Sequence, residues 1–275
     1  MSQSTTVFFL SDGTGITAEK LGQTLLSQFA HIKFKRVRRP YLTSMEAVAK
    51  VADEINLVSE NGGLPTLVFS TLVAEASREL LRNCNARLFD LYDQFVEPME
   101  SCLGVEASHE IGLSHGMGTF DAYQVRIDAL NYTMANDDGI STKNLDQADV
   151  ILIGVSRSGK TPTCLYLALN YGIQAANYPL TVDDLEFDKL PASLASYKNK
   201  IMGLSINPNR LQQIRQKRKS KSQYAALSQC QYETRSAEAL YKKFDIPFLD
   251  SSTMSIEEIA TSILQIKKLK RRING

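Results

Sequence analysis

The sequence predicts an α/β protein of two domains, each built on a mostly parallel sheet. Three observations predict it. Short apolar runs alternate with segments of helical period, the pattern of strand–helix–strand crossovers. Glycine-rich turns follow two of those runs and lead into helical segments. The 275 residues, 43% hydrophobic, are enough for two ordinary cores.

Val7–Leu10 is the first strand, and Ser11-Asp12-Gly13-Thr14-Gly15 ends it. A helix follows, with Leu21, Leu25 and Phe29 expected on its inner face. Phe34–Arg38 reads as the second strand. Thr43 or Ser44 caps a helix through Ser59, whose inner stripe is Val48, Val51, Ala52 and Ile55. Gly62-Gly63 breaks it. Leu67–Phe69 is the third strand, a helix runs to about Asn83, and Leu88–Leu91 is the fourth strand. Residues 105–121 read as irregular, with Gly112, Gly116 and Gly118 around His115. A helix is expected over Asp121–Ala135. Asn136-Asp137-Asp138-Gly139 stops it, with Gly139 as its C-cap. The domain boundary is placed there, giving an N-terminal domain of residues 1–140 and a C-terminal domain of 141–275.

The alternation then restarts. Val150–Val155 is a wholly apolar strand, followed by a glycine-rich loop and a helix through Tyr171. Ala175–Leu180 and Lys200–Ile206 are further strands, and Pro208–Arg218 a helix running into basic residues. Ser236–Phe244 reads as a helix, Ile246–Leu249 as the last strand, and Ser255–Leu269 as the last helix. Ser255 and Glu258 have the spacing of a capping box.

Composition excludes several classes of function. Lys and Arg number 31 against 30 Asp and Glu, so no global basic field exists to hold nucleic acid. The four cysteines show no Cys-x-x-Cys pair, and the three histidines are scattered, which argues against a zinc site or a disulfide scaffold. The N-terminal apolar run is short and has no basic stretch before it, so no signal peptide is expected. No stretch reaches the roughly 18 apolar residues of a membrane span. A cytoplasmic protein with no membrane or nucleic-acid partner is the expectation. A homodimer is one assembly it could form.

The chemistry concentrates in Gly154-Val155-Ser156-Arg157-Ser158-Gly159-Lys160-Thr161, which fits G-x-x-x-x-G-K-[ST] at every fixed position. A buried strand precedes it and a helix follows, the context of a P-loop. The two glycines let the backbone turn and approach a phosphate without a Cβ clash. The loop N–H groups and the helix N-terminus make an anion cradle. Lys160 can reach the terminal phosphates, and Thr161 can ligate Mg²⁺ through its hydroxyl. The fold expected for the second domain is therefore kinase-like around this loop. Arg157 either adds a second cation or faces solvent. Asp183, with Asp184, follows the next strand and either holds Mg²⁺ through water and orients a hydroxyl, or forms a solvated turn. Arg210, Arg215 and Arg218 either form a lid over phosphates or a solvated helix face. Asp12, in the first glycine-rich turn, stands where open parallel sheets bind ligands and could orient a hydroxyl or a metal. His115 reads equally as a phosphate contact or a surface residue. Cys164 reads as a packing residue under the loop.

Five segments together resemble one family: LSDGTGITAEKLGQTLLSQF, MANDDGISTKNLDQADVILIGVSRSGKTPT, LYLALNYGIQAANYPL, LPASLASYKNKIMGLSINPNRL and SQYAALSQCQYE. They are similar to the bacterial phosphoenolpyruvate synthase regulatory proteins, a family that includes regulators of pyruvate, phosphate dikinase. The resemblance covers nearly the whole chain. It implies a bifunctional enzyme. One activity is an ADP-dependent Ser/Thr protein kinase, which inactivates phosphoenolpyruvate synthase by phosphorylating a threonine near its catalytic histidine. The other removes that phosphate with inorganic phosphate and releases pyrophosphate. The family's nucleotide loop maps onto Gly154–Thr161. From the residues alone the reading stops at phosphoryl transfer on a P-loop. A dikinase regulator with the same chemistry, a small-molecule P-loop kinase and a non-catalytic nucleotide-binding module stay open at that level.

Overall fold

The computed structural model describes residues 4–60, 63–110, 120–139, 144–186, 189–218 and 222–273. It is an α/β protein with two four-stranded parallel sheets. The chain divides into two compact units, Met1–Gly116 and Met117–Gly275.

In the first unit, β1 (Ser4–Leu10), β2 (Lys33–Arg39), β3 (Leu67–Ser70) and β4 (Arg87–Asp90) stand in the order β2-β1-β3-β4. The helices are α1 (Ile16–Leu26), α2 (Met45–Glu60), α3 (Glu75–Arg82) and α4 (Glu97–Leu103). β1 is central, and Val7 through Leu10 are all buried. Their side chains alternate between two faces, as a strand requires. Phe8 and Leu10 pack with Val48, Val51, Ile55, Leu72 and Leu81 of the α2 and α3 side. Val7 and Phe9 pack with Ala18, Leu26 and Phe69 on the α1 side. The buried stripe of α1 is thus Ala18, Gly22 and Leu26, while Leu25 and Phe29, expected inside, are exposed. A stripe of small residues is quieter in the sequence than the large apolar residues beside it.

In the second unit, β5 (Val150–Gly154), β6 (Ala175–Pro179), β7 (Ile201–Ser205) and β8 (Phe248–Asp250) stand in the order β6-β5-β7-β8. Around them lie α5 (Phe120–Ala135), α6 (Lys160–Tyr171), the short α7 (Val182–Glu186), α8 (Pro208–Arg218), α9 (Leu227–Lys243) and α10 (Ile256–Ile266). β5 is buried end to end. Ile151 and Ile153 enter one core with Leu211, Leu240 and Tyr241; Val150 and Leu152 enter another with Cys164, Leu167, Ile259 and Ile263. Ser255 and Glu258 form the capping box expected at the start of α10.

The strand order is the same in both units, although no internal repeat shows in the sequence. In each, the first strand is followed by a neighbour on one side and then by one on the other. Its C-terminal turn therefore sits where an open parallel sheet reverses order, the usual place for a ligand. The turn after β1 and the loop after β5 occupy that place.

Besides α4 and α7, over which no helix was expected, two elements differ from the sequence reading. The helix α5 belongs with the second unit, so the division falls ahead of it rather than near residue 140. The Thr133 hydroxyl accepts from the Ala175 N–H of β6 at 3.3 Å, and Asn136 O accepts from Asn177 N at 3.0 Å. The helix expected from Ser236 starts nine residues earlier, at Leu227. Its inner stripe includes the buried polar residues Glu233 and Thr234, which hide the apolar period.

Candidate functional site

The loop after β5 begins at Gly154. A Cβ there would lie 2.5 Å from the carbonyl oxygen of Leu204 in β7 and 3.0 Å from Ser158 Oγ. The glycine is required by the neighbouring strand, a closer constraint than the phosphate approach expected from the motif. Arg157 (φ 76°) and Gly159 (φ 93°) are both left-handed. A Cβ on Gly159 would meet nothing within 4 Å, so this glycine serves its backbone angle. Two left-handed residues within three positions give the loop a concave course, in which successive N–H groups can converge on an anion. Gly159 then opens α6 with no side chain capping it, so the first N–H groups of that helix are open to a ligand.

Lys160 lies under the loop, only 4% exposed. Its Nζ donates to the carbonyls of Gly154 at 2.9 Å and Val155 at 3.0 Å. Burial pushes the ammonium down to about 8, against the pull of Asp138 and Asp137. Val155 and Ser158 are buried, and Ser158 Oγ has no hydrogen-bond partner among the described residues. Arg157 faces solvent. Cys164, one turn into α6, is fully buried, and that burial raises its thiol well above the usual range.

Arg215 is not a lid. It is fully buried in α8 and braces the loop from behind. Its Nη2 donates to Ser156 O at 3.1 Å and to Glu233 Oε2 at 2.6 Å, and its Nη1 donates to Tyr224 O at 3.0 Å. The guanidinium lies 4.0 Å from the centre of the Tyr224 ring, whose hydroxyl donates to Ser156 Oγ at 2.9 Å. Arg210 donates to Ser252 O, and Arg218 is exposed.

Thr161, in the first turn of α6, is held from the turn after α5. Its Oγ1 donates to Asp137 Oδ1 at 3.0 Å. Asn177 Nδ2, from β6, lies within bonding distance of Asp137 Oδ1 (2.6 Å), Asp138 Oδ1 (3.1 Å) and Thr161 Oγ1 (3.0 Å). Asp137 and Asp138 were legible only as a helix stop, and Asn177 only as part of a strand. The signal available was a polar Asn inside β6 and two adjacent acids in the turn ahead of β5. Asp183 stands exposed on α7, and its neighbour Asp184 accepts from Thr181 N and Oγ1 as a helix cap, both at 2.9 Å. Among the described residues no group of three or more His, Cys, Asp and Glu could hold a metal. The hydroxyl and two carboxylates at Thr161 do fit Mg²⁺, which takes few protein oxygens and completes its shell with water and phosphate.

In the first unit, the turn after β1 opens on a cavity of about 400 Å³ lined by Ser11, Asp12, Thr17, Thr71, Tyr92 and His109. Asp12 Oδ2 accepts from Val73 N at 2.8 Å, tying this turn to the one after β3. Gly15 (φ 76°) opens α1 as Gly159 opens α6. His115 lies outside the described residues.

The chain matches the family model described as kinase/pyrophosphorylase over residues 7–264. Relatives named as phosphoenolpyruvate synthase regulatory proteins align over almost their whole length. That of Alkalilimnicola ehrlichii is 51% identical, covering 97% of each chain. That of Alcanivorax borkumensis is 49% identical over 98% of each, and that of Pseudomonas aeruginosa 45% identical over 99% of each. The match takes in both glycine-rich turns and every residue around Lys160 and Thr161, and the chain belongs to the kinase/pyrophosphorylase family.

Proposed function

We propose that the protein is a bifunctional regulator of phosphoenolpyruvate synthase. As an ADP-dependent Ser/Thr protein kinase it inactivates that enzyme on a threonine. As a phosphate-dependent pyrophosphorylase it restores it. The observation that carries the reading is the loop Gly154–Thr161, with Lys160 buried beneath it and Thr161 bonded to a carboxylate, in a chain of this family. The relatives' name supports the target.

In the forward direction the threonine oxygen bonds to the β-phosphorus of ADP. The bond to the α–β bridging oxygen breaks, AMP leaves, and the hydroxyl proton passes to a carboxylate or to water. In reverse, a phosphate oxygen takes the phosphoryl group from phosphothreonine, the threonine oxygen recovers a proton, and pyrophosphate forms. The loop and the N-terminus of α6 hold the anions in both directions. Lys160 leaves the carbonyls of Gly154 and Val155 to meet the transferring group. Thr161, with Asp137 beside it, would hold Mg²⁺, and the cation would supply neutralisation of phosphate charge. Asp12 and Asp183 are the further catalytic candidates, for orienting a hydroxyl or a hydrated cation. Asp12 has Oδ1 beyond the bond that Oδ2 accepts from Val73 N.

The test is mass spectrometry of phosphoenolpyruvate synthase after incubation with this protein and ADP, with ATP freed of ADP as the control. Phosphothreonine with AMP release is the expected result; phosphorylation from ATP alone overturns the donor. Assays of Asp12→Asn and Asp183→Asn in both directions decide those two residues, since unchanged rates remove them.

A further inference from the structure

The residues around Thr161 hold more acceptors than donors. Asp137 and Asp138 bring four carboxylate oxygens, and Asn177 adds its amide oxygen. Against these stand the two N–H bonds of Asn177 and one hydroxyl proton, and that amide nitrogen is shared among three oxygens. Asn177 is only 2% exposed, its Nδ2 faces the group, and its Oδ1 has no hydrogen-bond partner among the described residues. A buried polar atom left without a partner is costly, so its retention asks for an explanation.

The backbone holds the group together. The turn Asn136–Gly139 is bonded to β6 on both sides of Asn177: Asn177 N donates to Asn136 O at 3.0 Å, and Gly139 N donates to Asn177 O at 3.0 Å. Asp138 is left-handed at φ 49°, an uncommon conformation for a residue other than glycine. Asn136 also bonds its side chain back to Tyr132 O at 2.9 Å, anchoring the turn to α5. Asp137 is thus placed from two elements at once, α5 and β6. The direction of the Thr161 bond matters as well. A hydroxyl whose proton is taken by a carboxylate presents its lone pairs elsewhere, and a metal ligand needs that orientation.

The geometry points to Asp137 as the residue that builds the divalent-cation site of this loop, by fixing the Thr161 hydroxyl and supplying carboxylate charge beside it. This rests on the nucleotide-binding role proposed for the loop and adds the cation's protein ligands to it. This acid comes from the turn ahead of β5, a position the sequence reading gave only as a helix stop.

The consequence is an effect of opposite sign with and without the metal. A carboxylate beside nucleotide phosphates repels them; the same carboxylate favours them once a cation lies between. Isothermal titration of ADP into the full chain reads both, in EDTA and in Mg²⁺. Asp137→Asn is expected to bind ADP in EDTA at least as tightly as the unmodified chain. Its gain in affinity on adding Mg²⁺ falls by about 10- to 100-fold. Mn²⁺ titration followed by electron paramagnetic resonance, with ADP present, shows the same loss without any reliance on turnover. A variant weakened equally in EDTA and Mg²⁺ makes Asp137 a structural residue and overturns the proposal. So does an undiminished Mg²⁺ gain, or an unmodified chain whose ADP affinity ignores Mg²⁺. Should Asp137→Asn not fold, Asp137→Ser, which keeps an oxygen for Asn177 and Thr161, is held to the same two outcomes. Absence of ADP binding by the unmodified chain under either condition is a different result: it removes the nucleotide role of the loop itself.

Discussion

Lys160 sits where its own charge is disfavoured. It is only 4% exposed, and two carbonyls and the more distant field of Asp138, Cys164 and Asp137 support the ammonium. The unfolded chain therefore binds more protons than the folded one between about 8 and the ordinary lysine value of 10.5, and this group's contribution to stability rises with pH through that window. An anionic nucleotide reverses the preference, because a phosphate beside Nζ favours the ammonium. ADP binding near pH 9 should then take up a fraction of a proton, while binding at pH 6.5 should not. Titration calorimetry in buffers of different ionisation enthalpy measures this directly. A heat independent of buffer at pH 9 would show that Lys160 does not meet the phosphates. Lys160→Ala removes the contact altogether, and phosphorylation should fall at least about 100-fold, equivalent to nearly 3 kcal/mol in the barrier, with the circular dichroism unchanged. Normal turnover by a folded variant would sink the assignment.

At the scale of elements, the loop is held as much from behind as from its own sequence. Arg215 of α8, Glu233 of α9 and Tyr224 between them form a buried brace on Ser156. Removing one member leaves the other charge buried without its partner, a loss of about 3–5 kcal/mol where the pair is well enclosed. Arg215→Met should lower the unfolding midpoint sharply, and Arg215→Met with Glu233→Met should recover part of it. If the double variant is no more stable than the single one, the ion pair is not what the brace depends on. Gly154→Ala should destabilise more than Gly159→Ala, since the first places a Cβ 2.5 Å from a backbone carbonyl and the second meets open space at the cost of φ strain alone. These contrasts mark what a sequence can disclose. The motif and the strand before it located the loop, since both depend on neighbours in the chain. The brace joins residues 9 to 68 positions apart, and the Asp137–Asn177 pairing residues 40 positions apart. Nothing local distinguishes Arg215 from the other basic residues of α8, so a buried strut was read as part of a solvated or lid-like face. In α1 the difficulty was reversed: large apolar residues that proved exposed outshone the small ones that face the sheet.

The whole molecule carries the same four-stranded order twice, with separate hydrophobic clusters for the two units. The alternation of strands and helices was legible apart from α4 and α7, yet the repetition of topology was not, because strand order is set by pairing between distant segments. The first unit keeps a cavity of about 400 Å³ at its turn; the second places its glycine-rich loop, Lys160 and Thr161 at the corresponding position. If the nucleotide binds the second turn, its stabilisation must appear first in the unit that contains it. A ligand at 100 times its dissociation constant stabilises the binding state by about 2.7 kcal/mol. Hydrogen exchange with ADP and Mg²⁺ should therefore slow the amides of β5, α6 and β6 by up to about 100-fold where they exchange through opening of that unit. Amides of β1, α1 and β3 that open independently should change little. The Lys160→Ala variant should lose the protection in β5 and α6 at the same ADP concentration. Protection centred on Ser11–Gly15 and α1, with β5 and α6 unchanged, would place the nucleotide in the first unit's cavity and transfer the donor role to the other turn.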